Sequence, residues 1–162
     1  MKKTTQSATL VAASLIIASI SNTATKAGEF NGNGTVTYTV STLEQMTAKS
    51  ANSVALSHLR GVVLASDPTS PIHLSTQDCM GSTIPNETGA PLNGAGSCTG
   101  IDRDGDIWWI WYSNTSQSRD WGFIDGTGKF EGVKGNGTTS VLSASPNGHL
   151  AVTWQGKWTM KD

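Results

Sequence analysis

The chain has 162 residues, of which 36% are hydrophobic and 14% are charged, and its formal net charge is −1 at pH 7. This length suits one domain of ordinary size, and the lack of a Lys- or Arg-rich cluster excludes the electrostatic footprint of a nucleic-acid-binding protein. With 18 glycines and a charged fraction well below the roughly one quarter of ordinary domains, the chain is expected to be rich in turns.

The N-terminal segment, residues 1–27, has the order of a secretory signal peptide. Lys2 and Lys3 precede an uncharged, largely apolar run of about 13 residues, and small and polar residues follow it. Such a run is shorter than the roughly 20 residues that a membrane-spanning helix needs. We expect cleavage after Ala27, with cleavage after Ala24 or an uncleaved membrane anchor as alternatives.

Cleavage after Ala27 defines a mature domain over residues 28–162. The mature chain loses three lysines, so 8 basic and 12 acidic side chains remain and the net charge becomes −4. No second apolar run of membrane length follows. We therefore expect one exported domain, periplasmic or extracellular, with no membrane span in the mature chain, and the sequence leaves its oligomeric state open.

The first predicted strand covers residues 35–40, where hydroxyl and apolar side chains alternate. A period of two places Val36, Tyr38 and Val40 on one face of this strand. The next stretch, residues 41–57, fits a short helix or a long loop equally well, because its Thr and Ser residues are weak helix formers.

Further strand-like segments follow at short spacing. They cover residues 60–66, 72–80, 96–101, 107–112, 121–125, 126–133, 137–142 and 150–160. Turn signals separate several of them, notably Asp104-Gly105 and the segment 145–148, which has Pro and Gly where a four-residue turn requires them. About eight short strands without a convincing long helix predict an all-β fold, an antiparallel closed barrel with a β-sandwich as the alternative.

The two cysteines, Cys79 and Cys98, are predicted to form a disulfide. An isolated pair in an oxidising compartment is usually bridged, whereas a structural zinc site needs four nitrogen or sulfur ligands. The bridge would close a loop of roughly 20 residues and contribute about 3 kcal/mol in the chain-entropy treatment. Because the enclosed segment is rich in Gly, Pro, Asn and Ser, we expect the disulfide to pin an irregular loop.

The glycine-punctuated stretch over residues 126–138, GTGKFEGVKGNGT, resembles the hairpin of the allene oxide cyclase and dirigent-type barrels, which are calycin-like. The Cys…Gly-rich…Cys segment and the Asp-x-Asp-Gly-Asp turn at residues 102–106 resemble those of small exported bacterial proteins. The resemblance covers mainly residues 58–140. It implies a closed barrel of about eight strands with an internal cavity, whose glycines mark strand corners, but it matches no catalytic constellation and so implies no reaction.

Three carboxylates, those of Asp102, Asp104 and Asp106, alternate around Gly105. Such a loop can surround Ca²⁺, which prefers six to eight oxygen ligands. The EF-hand pattern is incomplete, because the twelfth position counted from Asp102 is Ser113 and not Glu. Calcium is the one cofactor for which the sequence offers a candidate site. The favoured interpretation of these three aspartates is nevertheless a solvated hairpin turn.

All six tryptophans lie between residues 108 and 158. On an ideal strand over residues 107–112, Trp108 and Tyr112 face opposite to Trp109 and Trp111, so one face is expected to fill the barrel. The other face either packs under a loop or stays exposed for sugars, lipids or another protein. The candidate ligand-binding residues are Trp108, Trp109, Trp111, Tyr112 and Trp121.

Catalytic motifs such as HxH, HExxH and GxSxG are absent from the sequence. His73, with apolar neighbours, and Glu131 are the weak candidates for an acid or base. The leading hypothesis is a non-enzymatic exported barrel that binds a small apolar or amphipathic ligand, or a partner, through its aromatic residues. The alternatives are a barrel enzyme of the cyclase or isomerase type and a calcium-stabilised structural module.

Overall fold

A computed structural model describes residues 28–47, 53–85 and 91–161. The expected export segment, residues 1–27, lies outside the described residues. The strands are β1 (Gly28–Thr47), β2 (Ser53–Ala65), β3 (Thr76–Pro85), β4 (Pro91–Ile101), β5 (Ile107–Asn114), β6 (Arg119–Gly126), β7 (Lys134–Ala144) and β8 (His149–Met160), and a turn of 3₁₀ helix spans Gly128–Phe130. No helix in these ranges is long and apolar enough to cross a bilayer.

The eight strands form a closed antiparallel barrel. Each strand pairs with the next in the chain, and β8 pairs with β1. Closure gives every strand a partner on both sides, although β6 and β7 are joined by only three residue pairs, between Asp120–Gly122 and Asn136–Thr138. The predicted all-β closed barrel is confirmed, and the β-sandwich alternative is not the fold that forms.

Successive side chains of each strand point to opposite faces of the barrel wall, so one row of apolar side chains points inward. On β1, the buried Val36 pairs with Val63 of β2 on one side and with Val152 of β8 on the other. On β5, Trp108 and Ile110 are buried, whereas Trp111 is 43% exposed. The predicted division of β5 into two faces is therefore confirmed, and the Trp108 face lies inside.

The barrel has two distinct ends, which we name after their first connections. The β1–β2, β3–β4, β5–β6 and β7–β8 connections lie at the β1–β2 end, and the other connections lie at the β2–β3 end. The β2–β3 end is filled by side chains from its loops. Phe130 and Val133 have no exposed surface, and Ile72 and Ser75 are buried beside them.

Two segments expected to be irregular form strands in the parts that the structure describes. In place of a helix or loop over residues 41–57, β1 continues to Thr47 and β2 begins at Ser53, because their ladder resumes after a register shift between Thr42 and Glu44. Cross-strand hydrogen bonds stabilise residues whose own propensity is indifferent.

The disulfide between Cys79 and Cys98 is confirmed, but the described residues that it encloses, 80–85 and 91–97, form strands and not an irregular loop. The two cysteines are directly opposite each other on the paired strands β3 and β4. The Gly- and Ser-rich residues around them form ladders with β2 and β5 as well. Backbone pairing on both sides therefore replaces the side-chain packing that this segment lacks.

A strand predicted over residues 126–133 is wrong. Gly128 and Gly132 have positive φ values of 54° and 67°, a conformation that ends a strand and that glycine adopts without strain. The chain instead turns through the 3₁₀ helix and buries Phe130 at the β2–β3 end of the barrel.

Glycines were expected at strand corners, but many of them lie within strands. A Cβ at Gly156 would approach Trp121 Cζ2 to 2.4 Å, and one at Gly137 would approach the same atom to 2.7 Å. A Cβ at Gly100 would lie 2.0 Å from Trp108 Cε2. These glycines provide the space in which the inward-facing indole rings lie against the barrel wall.

Candidate ligand cavity

The inside of the barrel contains a cavity of about 130 Å³. Its lining is mainly apolar and is drawn from all eight strands and from Ile72 of the β2–β3 connection. The aliphatic and cystine residues of the lining are Val36, Leu59, Val63, Ile72, Cys79, Cys98, Ile110, Val141, Leu150 and Val152. A concave apolar space with few polar groups is the usual form of a small-molecule site.

Trp121 and Trp154 form an aromatic wall of the cavity. Their ring centroids are 6.5 Å apart and their planes meet at 83°, an edge-to-face arrangement that aromatic quadrupoles favour. Trp121 lies on β6 and reaches across β7 and β8 because Gly137 and Gly156, which pair with each other, leave room for its ring. The positions of these two glycines thus allow the Trp121 ring to form part of the aromatic wall.

The buried indole N–H groups differ in their hydrogen bonding. Trp108 Nε1 donates to Ser75 Oγ at 3.4 Å. The Nε1 atoms of Trp121, Trp154 and Trp158 are buried and have no acceptor among the described residues. Of these three side chains, Trp121 and Trp154 line the cavity.

Two tyrosines contribute phenol groups to the cavity. Tyr38 O–H donates to Gln77 Oε1 at 2.7 Å, and it reaches β3 across Gly61, which has no side chain in the way. Burial, with a smaller contribution from Tyr112, raises the pKa of Tyr38 far above its usual range. Burial also raises the pKa of Tyr112. Both phenols are therefore protonated at neutral pH.

Arg119 and Asn114 line the cavity at its β1–β2 end, where they flank the β5–β6 turn. The turn is held by Thr115, whose N–H donates to Ser118 O at 2.7 Å and whose Oγ1 accepts from Ser118 N at 2.9 Å. Arg119 is the charged residue of the described lining, and no carboxylate in the described ranges forms an ion pair with it. Arg119 thus lies beside an apolar space and has no counter-ion among the described residues.

The candidate ligand-binding residues separate into two groups. Trp108, Tyr112 and Trp121 line the cavity. Trp109 and Trp111 lie on the opposite face of β5, where the Trp111 ring covers Gly122 on the outside of the barrel. The structure therefore brings three of the five side chains together at one cavity.

The candidate acid–base residues lie away from the cavity lining. His73 is in the β2–β3 connection, with Nδ1 at 3.1 Å from Ala65 O. Glu131 is exposed and follows the 3₁₀ turn. Both are at the β2–β3 end, and neither is among the described residues that line the cavity.

The Asp102, Asp104 and Asp106 carboxylates converge on a side chain of the protein. Lys129 Nζ contacts the carboxylates of Asp102 and Asp104 and lies 3.8 Å from Asp106 Oδ2. Asp102 Oδ1 also accepts the N–H groups of Asp104 and Asp106, each at 2.9 Å, which shapes the turn. The described residues include no group of three or more His, Cys, Asp or Glu side chains arranged to hold a metal ion.

Sequence reasoning did not identify six polar or aromatic members of the described cavity lining: Tyr38, Gln77, Asn114, Arg119, Thr139 and Trp154. Alternation did place Tyr38 on the face of Val36, and the same alternation runs through β8 to Trp154. Gln77 carries no such signal, because a single buried amide in a strand becomes recognisable only when its partner across two strands is known.

Comparison with known proteins finds a shared fold. No family model matches the chain, and no curated protein matches it. Among solved structures, the pterocarpan synthase dirigent protein GePTS1 aligns with a TM-score of 0.63 and 15% identity over 85% of this chain and 93% of that protein. The pterocarpan synthase dirigent protein PsPTS1 aligns with a TM-score of 0.61 and 13% identity over 85% of this chain and 97% of that protein.

At these identities the alignments establish the fold alone. The expected resemblance to dirigent-type barrels is confirmed at that level. The chain has the closed eight-stranded antiparallel barrel of the dirigent proteins, with an aromatic cluster inside.

Proposed function

We propose that this protein binds a small apolar or amphipathic ligand inside its barrel. The observation that carries the proposal is the cavity of about 130 Å³, which is walled by tryptophans and aliphatic side chains. Well-packed interiors contain few voids larger than a water molecule. A space of this size in the centre of the barrel is therefore a candidate binding site.

The cavity size limits the buried part of the ligand. Apolar cavities of about 150 Å³ stay dry and take up benzene, so one ring or a short branched chain fits without rearrangement of the walls. Transfer of such a group from water contributes roughly 25 cal/mol per Å² of apolar surface buried. The cavity is thus suited to a compact apolar group.

The β1–β2 end of the cavity supports the amphipathic form of the proposal. Arg119 and Asn114 offer polar groups there, while Trp108 and Ile110 lie deeper on the same strand as Asn114. A ligand with an apolar body and one polar end matches this gradient.

Binding is favoured over acid–base catalysis by the composition of the lining. Both dirigent neighbours are described as pterocarpan synthases, and a cyclase or isomerase remains the enzymatic alternative for this chain. The described lining contains no carboxylate and no imidazole, and burial raises the pKa of both its tyrosines. General acid–base catalysis near neutral pH needs a group that titrates there.

We also propose that the protein is exported and acts in the periplasm or outside the cell. The charged, apolar and small-residue order of residues 1–27 and the Cys79–Cys98 disulfide support this proposal, because disulfides persist in oxidising compartments. The bacterial origin and the link to allene oxide cyclases stay predictions from the sequence.

Toluene is a suitable probe of the proposed site, because it matches the cavity in size and polarity. We expect toluene to quench or shift the tryptophan fluorescence saturably and to raise the melting temperature. Val152→Phe, which fills the cavity, should weaken toluene binding by at least about tenfold. Val62→Phe makes the same change on the outer face of β2 and should leave binding unchanged.

Saturable binding that survives Val152→Phe, in a variant shown by circular dichroism to be folded, would place the ligand elsewhere. No saturable effect of toluene on the wild-type protein would contradict the proposed function itself.

A further inference from the structure

The barrel wall is short where β5 and β6 meet. These two strands have 8 residues each and pair at the β1–β2 end as far as Asn114 and Arg119. The pairs between β6 and β7 end at Asp120 and Thr138, whereas β7 continues alongside β8 as far as Ala144. Above the β5–β6 turn, the described residues thus leave a notch in the wall.

One side of this notch is a free strand edge. Residues 139–144 of β7 pair with β8, but no described residue pairs with them on the β6 side. A free edge of this kind is a template for another strand, and natural proteins often protect such an edge with charged residues or proline. The sequence of this segment, TSVLSA, contains neither. The notch therefore offers unpaired backbone groups to an extended chain.

The cavity reaches the surface at the base of the notch. Asn114, Arg119, Thr139 and Val141 all line the cavity, and Val141 is nevertheless 43% exposed. The register of β7 against β8 shifts directly after Val141, so an added strand would pair regularly over residues 139–141. Successive side chains of a strand point to opposite faces. Every second side chain of the added strand would therefore point into the barrel.

The base of the notch carries a positively charged side chain. Arg119 lies two residues before the buried Trp121 and so on the inner face of β6. No carboxylate among the described residues forms an ion pair with it. A guanidinium can bind a carboxylate through two parallel hydrogen bonds. The anion that an extended peptide carries at its end is its C-terminal carboxylate.

We propose that this notch binds the C-terminal end of an extended peptide. The peptide pairs with β7 in the antiparallel sense, as β6 does below it, so its chain ends at Arg119 and its carboxylate binds the guanidinium. One of its last two side chains enters the cavity beside Val141. Strand addition and capture of a terminal carboxylate are both known modes of peptide recognition. The inference rests on the proposed function, because the cavity takes the side chain, and it specifies the amphipathic ligand as a peptide.

A fluorescein-labelled hexapeptide, Lys-Thr-Ser-Thr-Leu-Leu, is a suitable probe, because it ends in compact apolar side chains. Anisotropy titration should show saturable binding of the free acid and about tenfold weaker binding of the C-terminal amide, the effect of one charge-assisted hydrogen bond. Arg119→Met should abolish this difference between acid and amide. Arg103→Met is the matched control, because Arg103 lies in the β4–β5 turn at the opposite end of the barrel, and it should preserve the difference.

Methylation of the peptide backbone tests the strand addition itself. A strand pairs with one neighbour through the N–H groups of alternate residues. One analogue of the probe is N-methylated at its third and fifth residues, and the other at its fourth and sixth. One of the two should bind about fivefold more weakly or worse, the effect of losing a neutral hydrogen bond, and the other should match the parent peptide. Amide hydrogen exchange of residues 139–141 should slow when the parent peptide binds.

The possible outcomes separate the inference from the function on which it rests. If toluene binds in the cavity and the hexapeptide does not bind, the function stands and the peptide inference is wrong. Equal binding of the two N-methylated analogues, or of acid and amide, would also contradict the inference. If neither toluene nor the peptide binds, both proposals fail.

A second copy of the chain is the competing occupant of the notch. Self-association of the protein that an excess of the hexapeptide does not reverse would assign the free edge to that copy and contradict the inference. Should Arg119→Met not fold, the acid, the amide and the two N-methylated analogues decide the question on the wild-type protein.

Discussion

Lys129 supplies the positive charge on which three aspartate carboxylates converge. Its ammonium group lies among the carboxylates of Asp102, Asp104 and Asp106 and links the β4–β5 turn to the 3₁₀ turn. Burial alone would lower the pKa of Lys129, but hydrogen bonds from its ammonium group to Asp102 and Asp104 outweigh that effect and raise it. The stabilisation from this raised pKa is present below the usual lysine pKa, and so at neutral pH, and is lost only as pH rises through the higher value.

Replacing Lys129 with methionine should lower the free energy of unfolding by about 2 kcal/mol at neutral pH, because the buried Asp102 loses its counter-charge. This figure is below the range for fully buried pairs because Asp104 is exposed to water. Urea denaturation of the wild-type and K129M proteins measures the change.

Calcium should leave the melting temperature of the wild-type protein unchanged, because the ammonium group occupies the point on which the carboxylates converge. In Lys129→Met, calcium should raise the melting temperature, since a cation that binds only the folded state stabilises it. A wild-type protein stabilised by calcium and destabilised by a chelator would instead support the calcium-dependent structural module.

Arg119 tests whether the ligand has a polar end at the β1–β2 end of the cavity. 4-Phenylbutyrate has a ring that fits the cavity and a carboxylate that can reach a guanidinium. Arg119→Met should weaken 4-phenylbutyrate binding about tenfold, the effect of one charge-assisted hydrogen bond, and leave toluene binding unchanged. Calorimetric titration measures both; equal weakening of the two ligands would show that Arg119 only shapes the wall.

The strand face on which a site residue lies was predictable where side chains alternate regularly between the two faces. The period of two placed Trp108 and Tyr112 on one face of β5 and Trp109 and Trp111 on the other, as the structure shows. Alternation does not tell which face is inside, because both faces of that strand are aromatic. The pairing of Tyr38 with Gln77 depends on three strands in register, and it has no local signal.

At the scale of elements, glycine residues and aromatic rings are placed together. Tyr38 lies against Gly61 of the neighbouring strand, and Trp108 lies against Gly100 in the same way. An aromatic side chain opposite a glycine covers the exposed backbone and gains packing area. The glycine-rich strands of this barrel thus depend on the rings that lie across them.

Gly156→Ala should destabilise the protein by about 1–3 kcal/mol, because its Cβ would lie 2.4 Å from Trp121 Cζ2 and displace that ring. Gly94→Ala, also within a strand, is the control, because its nearest atom would be 3.1 Å away. Urea denaturation should show a smaller loss for Gly94→Ala. Equal losses would mean that β-propensity and not the Trp121 contact sets the cost.

The elements themselves were predictable in number and type but less so in their limits. The turns at Asp104-Gly105 and at residues 145–148 occur as predicted, because Gly105 and Gly148 adopt the positive φ that these turns need. The strand character of residues 41–47 and 53–57 was missed, since it arises from cross-strand pairing and from no local preference.

At the scale of the whole molecule, several surface aspartates make stability depend on pH. Hydrogen bonds from the side chain and backbone of Thr69 lower the pKa of Asp67, the hydrogen bond from His58 lowers that of Asp78, and two backbone N–H groups lower that of Asp125. A lowered pKa contributes stability that is present above the unfolded-state pKa and is lost as pH falls through the folded-state value.

The free energy of unfolding should therefore be nearly constant at neutral pH and decrease as pH falls below about 4, where unfolded aspartates take up protons. Urea denaturation across this pH range measures the decrease. Asp125→Asn should make the dependence shallower; a stability that rises below about pH 4 would show that other titrating groups dominate.

The whole fold follows from closure of the sheet, and closure leaves the interior to side chains or to a ligand. Phe130 and Val133 fill the β2–β3 end of the barrel, and the glycines let the tryptophan rings lie against the barrel wall. The volume that remains is next to Arg119 and Asn114. The central claim is that this volume is a binding site for a small apolar or amphipathic molecule.

The most direct test is the measurement of intermolecular nuclear Overhauser effects between toluene and the methyl groups of the folded protein. We predict contacts from toluene to the methyl groups of Val36, Ile110 and Val152, which line the cavity, and none to those of Val62, an exposed residue on the outer face of β2. Contacts to Val62 without contacts to the three inward-facing residues would contradict the claim that the barrel interior is the binding site.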